Sequence, residues 1–406
     1  MRYYIGVDWA DQEHAVWVED EQGAKVTAHT VKQTAEGWAT WGRWLHERRA
    51  EGTELWAGIE KPEGRVVEFL LDHGVVVYPI NPRAIHQARD RFRTSGAKSD
   101  TFDARVIATF VRTDHAHLRP LAPNSEATQE VKLLTRDYQR LVRQQTRLVN
   151  QLTATLKEYY PLALELFDDL TAAAAREFLQ TYPIPELLRP LTEAQWRRWA
   201  RAQRLSPARI AQQWACLQRP QLPIPPGVVR AKARLVGALL RQLTTTLSTV
   251  DEYRVEVDRF FAALPVAEWA RTLPAGRSGT TLPTLWAELG DAPGRWQSWQ
   301  HLQAQAGAVP VTDQSGQHKA VSFRFACNTQ LRAAVHQLAF LSLQRSDWAR
   351  AYYTDCRKRG HQHHHALRAL GAKWLKIIFV MWSRRIPYDE QRHLATIARQ
   401  RIRQAA

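Results

Sequence analysis

The run Tyr3-Tyr4-Ile5-Gly6-Val7-Asp8 is short, apolar and closed by an acid, and its reading decides the fold class. A strand of this kind carries its last carboxylate to the edge of a sheet. Residues 55–60 repeat the pattern and end on Glu60. Between the two, residues 14–18 and 25–31 are strand candidates joined as a hairpin by Glu21-Gln22-Gly23. Trp38, Trp41 and Leu45 then recur at helical spacing. Beyond Glu60 the pattern gives a helix over 66–73, a strand over 75–79 and helical material from 82 to about 113. Three strands, helix, strand, helix, strand, helix predicts a mixed α/β sheet with helices on its faces.

After Pro120 and Pro123 long helices take over. Leu134, Tyr138, Leu141, Leu148, Leu152 and Tyr159 follow 4,3 spacing with Gln145 in the seam, the pattern of a coiled coil. A second long helix is expected over 228–264, and a segment punctuated by Pro and Trp, 182–223, lies between the two. The expected fold is therefore α/β plus all-α. Residues 1–122 form a catalytic domain and 123–265 a helical region with the insert. Residues 266–390 form a mainly helical C-terminal domain, and 391–406 a basic tail.

Composition bounds the function. The chain has 406 residues and an ordinary 45% apolar content, enough for several cored domains. No stretch approaches the roughly 18 apolar residues of a membrane span, and the first residues lack a signal-peptide core. Cys216, Cys327 and Cys356 are too far apart for a disulfide framework or a zinc knuckle. A cytoplasmic protein without a membrane partner is expected. Lys+Arg 56 against Asp+Glu 40 gives a net charge of +16, which concentrates polyanions, nucleic acid above all.

Asp8 and Glu60 end strands, and Asp100 and Asp103 stand three apart in Lys98-Ser99-Asp100-Thr101-Phe102-Asp103-Ala104. On a helix that spacing puts both on one face. Four carboxylates drawn together repel unless a cation neutralises them. An all-oxygen set suits Mg²⁺, and two such ions can polarise an attacked phosphate and its leaving oxygen. Taken alone, Asp100 reads as an N-cap and Asp103 as a first-turn partner of the helix dipole.

Together these segments resemble the DEDD transposases of insertion sequences, specifically the insertion-sequence-110 type. Gly6-Val7-Asp8, Gly58-Ile59-Glu60 with Gly64, Asn81-Pro82 and the Lys98–Ala104 segment carry the likeness. It implies a RuvC-like, ribonuclease-H-like domain with Asp8, Glu60, Asp100 and Asp103 as metal-binding catalytic acids. Two departures stand out: Lys61-Pro62-Glu63-Gly64-Arg65 replaces the usual Thr-Gly and aromatic, and Ser99 replaces Thr. Farther on, Ala306-Gly307-Ala308-Val309-Pro310, Ser315-Gly316 and Cys327-Asn328-Thr329-Gln330-Leu331-Arg332 resemble the family's C-terminal transposase domain. So do Ala287-Glu288-Leu289-Gly290-Asp291 and Pro387-Tyr388-Asp389. The resemblance makes Ser315 the nucleophile on DNA, docked against the Mg²⁺ of the four acids. On residues alone Ser315-Gly316 is a turn, and no spacing around it supplies a base. Gly276-Arg277-Ser278 stands where the family has Gly-Ile-Gly, leaving Arg277 to reach phosphate by its side chain.

Arg136, Arg140, Arg143 and Arg147 lie outside the coiled-coil seam and read either as a solvated face or as phosphate contacts. Arg357, Lys358 and Arg359, followed by His361, His363, His364 and His365, read as a phosphate-facing patch rather than a zinc site. The resemblance adds a noncoding bridge RNA that pairs with donor and target DNA. The expected activity is Mg²⁺-dependent strand exchange through a serine-linked intermediate, performed by a dimer or tetramer. The rivals are a RuvC-like structure-specific endonuclease that uses water, and an inactive nucleic-acid-binding relic.

Overall fold

The computed structural model describes residues 1–92, 99–220, 223–275, 279–292, 294–315 and 318–405. The chain divides into two compact units, Met1–Ser125 with Ala292–Arg295, and Glu126–Asp291 with Trp296–Ala406.

The first unit holds a five-stranded sheet of β1 (Arg2–Asp8), β2 (Glu13–Glu19), β3 (Lys25–Lys32), β4 (Glu54–Ile59) and β5 (Val76–Pro79). Its order is β3-β2-β1-β4-β5. β1, β2 and β3 pair antiparallel, whereas β1, β4 and β5 run parallel. The local chemistry explains the split. Asp20 accepts hydrogen bonds from the Gln22 and Ala24 amides and Gly23 takes φ 85°, so the chain reverses tightly between β2 and β3. The parallel strands need crossovers, which α1 (Ala35–Ala50) and α2 (Arg65–Asp72) provide. The mixed α/β sheet expected from the sequence is present. The helical material after residue 82 contains two helices, α3 (Pro82–Arg89) and α4 (Asp100–Asp114).

Alternation along the strands sorts the residues onto two faces. Ile5, Val7, Leu55, Ala57 and Ile59 pack with Trp38, Trp41 and Val66 of α1 and α2. Tyr4 lies on the other face with Phe102, Val106 and Ile107 of α4. Gly6 and Gly58 also face α4 and are paired in register. A Cβ built on Gly6 falls 1.8 Å from the Ala104 carbonyl oxygen, and one on Gly58 falls 2.6 Å from Val111 Cγ2. Glycine at both positions lets α4 lie directly on the strands. Arg112 Nε at 2.7 Å and Thr109 Oγ1 at 3.1 Å, both bonded to the buried Glu19 carboxylate, fasten its far end to β2.

The second unit begins with α5 (Glu126–Tyr159), followed by α6 (Leu162–Leu166), α7 (Ala173–Thr181), α8 (Glu193–Ala202), α9 (Pro207–Leu217) and α10 (Pro226–Ala262). The insert expected at about 182–223 contains α8 and α9 and closes over a core built on Trp196, Phe178 and Tyr160. Leu148, Leu152 and Leu156 near the end of α5 share that core with Val229, Val236 and Leu240 near the start of α10. At the other end Val131 shares a core with Phe261. The two long helices are therefore antiparallel partners within one chain, and the C-terminal half of the predicted seam is buried there. The rest comprises α11 (Ala267–Ala270), α12 (Thr281–Leu289), α13 (Trp299–Gln305), β6 (Val311–Ser315), β7 (His318–Ser322), α14 (Thr329–Ser342), α15 (Asp347–Lys358), α16 (His363–Arg384) and α17 (Glu390–Ala405). No helix of the described residues is long and apolar enough to cross a membrane.

Gly6→Ala should cost about 3 kcal/mol or more, because the methyl group meets backbone rather than a yielding side chain. Thermal unfolding checks this against Gly227→Ala, where a Cβ meets nothing within 4 Å and the change should be neutral or slightly stabilising.

Candidate active site

Asp8 and Glu60 follow Gly6 and Gly58 by two residues, so both belong to the α4 face at the C-terminal edge of adjacent parallel strands. The start of α4 brings the other two acids. Ser99, not Asp100, is the N-cap, its hydroxyl accepting from the Phe102 amide at 3.2 Å. Serine keeps the cap that a threonine would make. Asp100 and Asp103 then occupy the first turn, where the positive end of the helix favours carboxylates. Asp100 is exposed and Asp103 is buried, 6% accessible.

Asp8 feels the other acids. Burial pushes the Asp8 carboxyl from 3.8 to about 6, and the charges of Asp103, Asp100 and Glu60 push the same way, opposed by Arg89. That is the mark of four negative groups at one sheet edge. Arg89 on α3 stands 2.7 Å from Asp103 Oδ1. Its N–H is not aligned for a hydrogen bond, and that buried oxygen accepts none. The donor set is all oxygen, carries excess negative charge and includes a buried oxygen without a hydrogen bond. It therefore fits a hard divalent cation such as Mg²⁺. Among the described residues, no three carboxylate, imidazole or thiol groups stand gathered at ligating distance.

Ser315 ends β6, a strand exposed along its whole length, and pairs in register with His318 of β7. It thus sits at the end of the strand pair where β6 stops and β7 begins. Arg277 lies outside the described residues.

The basic candidates divide. Arg136 is corrected from a nucleic-acid contact to a structural cation, because it faces inward and grips Glu288 with two hydrogen bonds, 2.7 and 3.1 Å. Asn328 donates to the same carboxylate at 2.8 Å while capping α14. Burial pushes the Glu288 carboxyl up, but Arg136, Asn328 and Lys132 together hold it below its ordinary value. The Ala287–Asp291 and Cys327–Arg332 motifs thereby do structural work that sequence reading missed. Arg140 pairs with Asp137. Arg143 and Arg147 are exposed, with no ion pair among the described residues. Arg357 donates to the His361 carbonyl, Arg359 pairs with Asp355, and Lys358 is exposed. His363 meets the Tyr353 hydroxyl at 2.7 Å, and His364 meets His336 at 3.4 Å.

Comparison with known proteins gives the same picture over both units. The DEDD transposase model of the IS110 type matches residues 5–161, and that of the "Transposase IS116/IS110/IS902 family" matches residues 270–354. The chain is 32% identical to the mini-circle putative transposase for IS117 of Streptomyces coelicolor, over 98% of each chain. It is 35% identical to a putative transposase of Sinorhizobium fredii over 47% of this chain and 54% of that one. Among solved structures, T. thermophilus RuvC in complex with a Holliday junction substrate aligns with 15% identity and a TM-score of 0.22. That alignment covers 30% of this chain and all of that one.

Asp8 holds its proton to higher pH when folded than when unfolded, so its contribution to stability falls as pH rises from about 4 through 6. In chelator, Asp8→Asn should therefore raise the unfolding temperature above pH 6 by a few degrees, roughly 1 kcal/mol after solvent screening, and the gain should vanish near pH 4. A lower unfolding temperature at every pH would mean that the acids do not crowd Asp8. Arg136→Met should cost about 3–5 kcal/mol by stranding a buried carboxylate. Arg143→Ala and Arg147→Ala should leave stability within about 0.5 kcal/mol. Each should also lower the slope of log affinity against log salt by about 0.9 in duplex-binding titrations.

Proposed function

Because the chain belongs to the IS110 family of transposases, we propose that it recombines DNA with two Mg²⁺ ions held by Asp8, Glu60, Asp100 and Asp103, using Ser315 as nucleophile. The observation that carries this reading is geometric: the in-register pair Gly6 and Gly58 ends two adjacent parallel strands on Asp8 and Glu60, and seats on the same face α4, whose first turn holds Asp100 and Asp103. When bound, the ions would supply Lewis-acid stabilisation of charge on the attacked phosphate and its leaving oxygen. Asp103 is the buried member of the set, Asp8 and Glu60 are half-buried, and Asp100 is exposed on the side where the DNA backbone would arrive.

The serine hydroxyl would attack phosphorus, forming an Oγ–P bond as one backbone P–O bond breaks. The hydroxyl proton is lost, and the departing oxygen takes up a proton. Attack on the phosphoserine by a hydroxyl of the other duplex reverses the sequence and joins the exchanged strands. The energy of the broken bond is kept in the ester, so exchange needs no nucleotide cofactor. A hydroxyl at the end of an exposed strand is sterically free to reach a phosphodiester.

Two duplexes must be cut and rejoined, so a dimer or tetramer is part of the proposal. Partner choice is assigned to a noncoding RNA of the element that pairs with donor and target DNA, leaving the protein to read backbone and shape. Exposed Arg143, Arg147 and Lys358 are suited to that role.

Purified protein, the element's noncoding RNA, Mg²⁺ and end-labelled element DNA should yield a protein–DNA adduct that survives denaturation. Ser315→Ala should abolish the adduct, and alanine at any of the four acids, or chelator, should abolish adduct and cleavage together. Persistence of the adduct in Ser315→Ala removes the nucleophile assignment. Cleavage without any adduct returns the reaction to water, as in a structure-specific nuclease. Equal activity without RNA removes the guide.

A further inference from the structure

The acids occupy one face of the sheet edge, and a cleft opens on the other. It is lined by Trp9, His14, Gln33, Ile59, Lys61 and Arg65, among others, so it begins at the residues that flank Asp8 and Glu60 in the chain. Its volume is about 120 Å³, close to the ~150 Å³ that admits a benzene ring.

The hydrogen bonds inside fix what the cleft offers. The Ala10 amide donates to His14 Nδ1 at 3.3 Å, so that nitrogen is unprotonated, and Nε2–H of this buried, neutral ring donates to Gln33 Oε1 at 2.8 Å. Trp38 Nε1, which can only donate, gives a second bond to the same Gln33 oxygen at 3.1 Å. Two obligate donors on one atom settle which end of the amide is oxygen. The Gln33 nitrogen keeps both N–H groups for a ligand, with no hydrogen-bond partner among the described residues. Gln33 is exposed, so water satisfies these N–H groups in the free protein, and an entrant that presents an acceptor is favoured over one that does not.

Charge narrows the class further. Lys61 and Arg65 at the cleft are balanced by Asp11 and Glu63, so a bare phosphate gains little inside it. A neutral planar ring gains more. The Trp9 face is covered by exposed Lys61, whose Nζ lies 4.0 Å from the ring centroid. Such an exposed cation–π contact is worth about 0.5–1 kcal/mol, whereas a base stacked on an aromatic ring is worth about 1–3 kcal/mol. A base therefore displaces the lysine, and the freed ammonium can meet the flanking phosphate.

We propose that this cleft takes one unpaired pyrimidine base of the strand being cut, stacked on Trp9, with a ring carbonyl accepting from the Gln33 amide. The Lys61 ammonium that the base displaces from the ring meets the phosphate beside it. Adenine has no carbonyl for Gln33, and the second ring of a purine overfills the space. The inference rests on the reading that the four acids are the cutting centre.

Full-length protein in chelator, bound to a short single-stranded DNA carrying one 5-bromodeoxyuridine, is irradiated and the adducted peptide sequenced. The adduct should fall on Trp9, and unlabelled oligothymidine should compete on the order of tenfold better than oligoadenosine. Gln33→Glu keeps the acceptor for His14 and Trp38 but replaces the donor, and should lower adduct yield on the order of tenfold. Trp9→Leu should abolish it. An adduct mapped elsewhere, an unaffected Gln33→Glu, or an adduct at Trp9 formed only by the matching 5-bromouridine RNA overturns the proposal. Chelator keeps this readout free of cleavage, so Mg²⁺-dependent cutting without a Trp9 adduct sinks the cleft alone. A Trp9 adduct in a protein that never cuts sinks the cutting centre, and with it the identity of the bound strand.

Discussion

The first unit depends on how closely α4 approaches the sheet. A helix packed on strands through ordinary side chains stands about 10 Å off, too far for short carboxylates at a strand end and a helix start to share one field. Gly6 and Gly58 remove the side chains that would keep it there, and α4 settles with its Ala104 carbonyl against the Gly6 backbone. The Glu19 pair with Arg112 and Thr109 then prevents the helix from sliding along β2. Asp103 is buried because of this approach, and the charge on Asp8 is disfavoured by both burial and its neighbours because of it. Motifs of the form Gly-x-acid on two strands therefore read as one device, the glycine seating the helix and the acid meeting what the helix brings.

Holding like charges together is costly in the absence of a cation, and the structure shows how the cost is contained. Arg89 supplies one positive charge to Asp103, through a single nitrogen at 2.7 Å and without an aligned hydrogen bond. An arginine that neutralised the site with full bidentate geometry, as Arg136 does for Glu288, would compete strongly with a divalent ion. The two pairs differ in just this respect. The acid set keeps an uncompensated excess, and the structural carboxylate in the second unit does not.

Much of this was legible in the chain itself. The succession of strands and helices and the hairpin follow from apolar runs broken by turn residues and ended by carboxylates, because a period of two and a terminal charge leave few alternatives. The i,i+3 spacing of Asp100 and Asp103 correctly anticipated a shared first turn, although the cap is Ser99. What sequence could not show was pairing across distance. Nothing about Arg136 in a run of similarly spaced arginines marks it as the one that turns inward, since its partner lies 152 residues away. The coiled-coil pattern in α5 was real, but periodicity cannot say whether a seam closes on another copy or on α10 of the same chain. His14 and Gln33 read as an unremarkable strand start and linker, because their meaning is in one oxygen shared by two donors.

Net charge has to be read with the same care. A surplus of +16 points to nucleic acid, and it is what remains after arginines paired with carboxylates, such as those on Glu19, Asp103, Glu165, Asp168 and Glu288, have cancelled. Each such pair is electrically neutral and contributes nothing to long-range attraction. The field a polyanion feels comes from the cations left over, such as Arg143, Arg147 and Lys358. Arginine suits both duties, since the planar fork that grips a buried carboxylate also grips phosphate. An arginine-rich chain can thus build its core ties and its binding face from one residue type, and only burial tells the two apart.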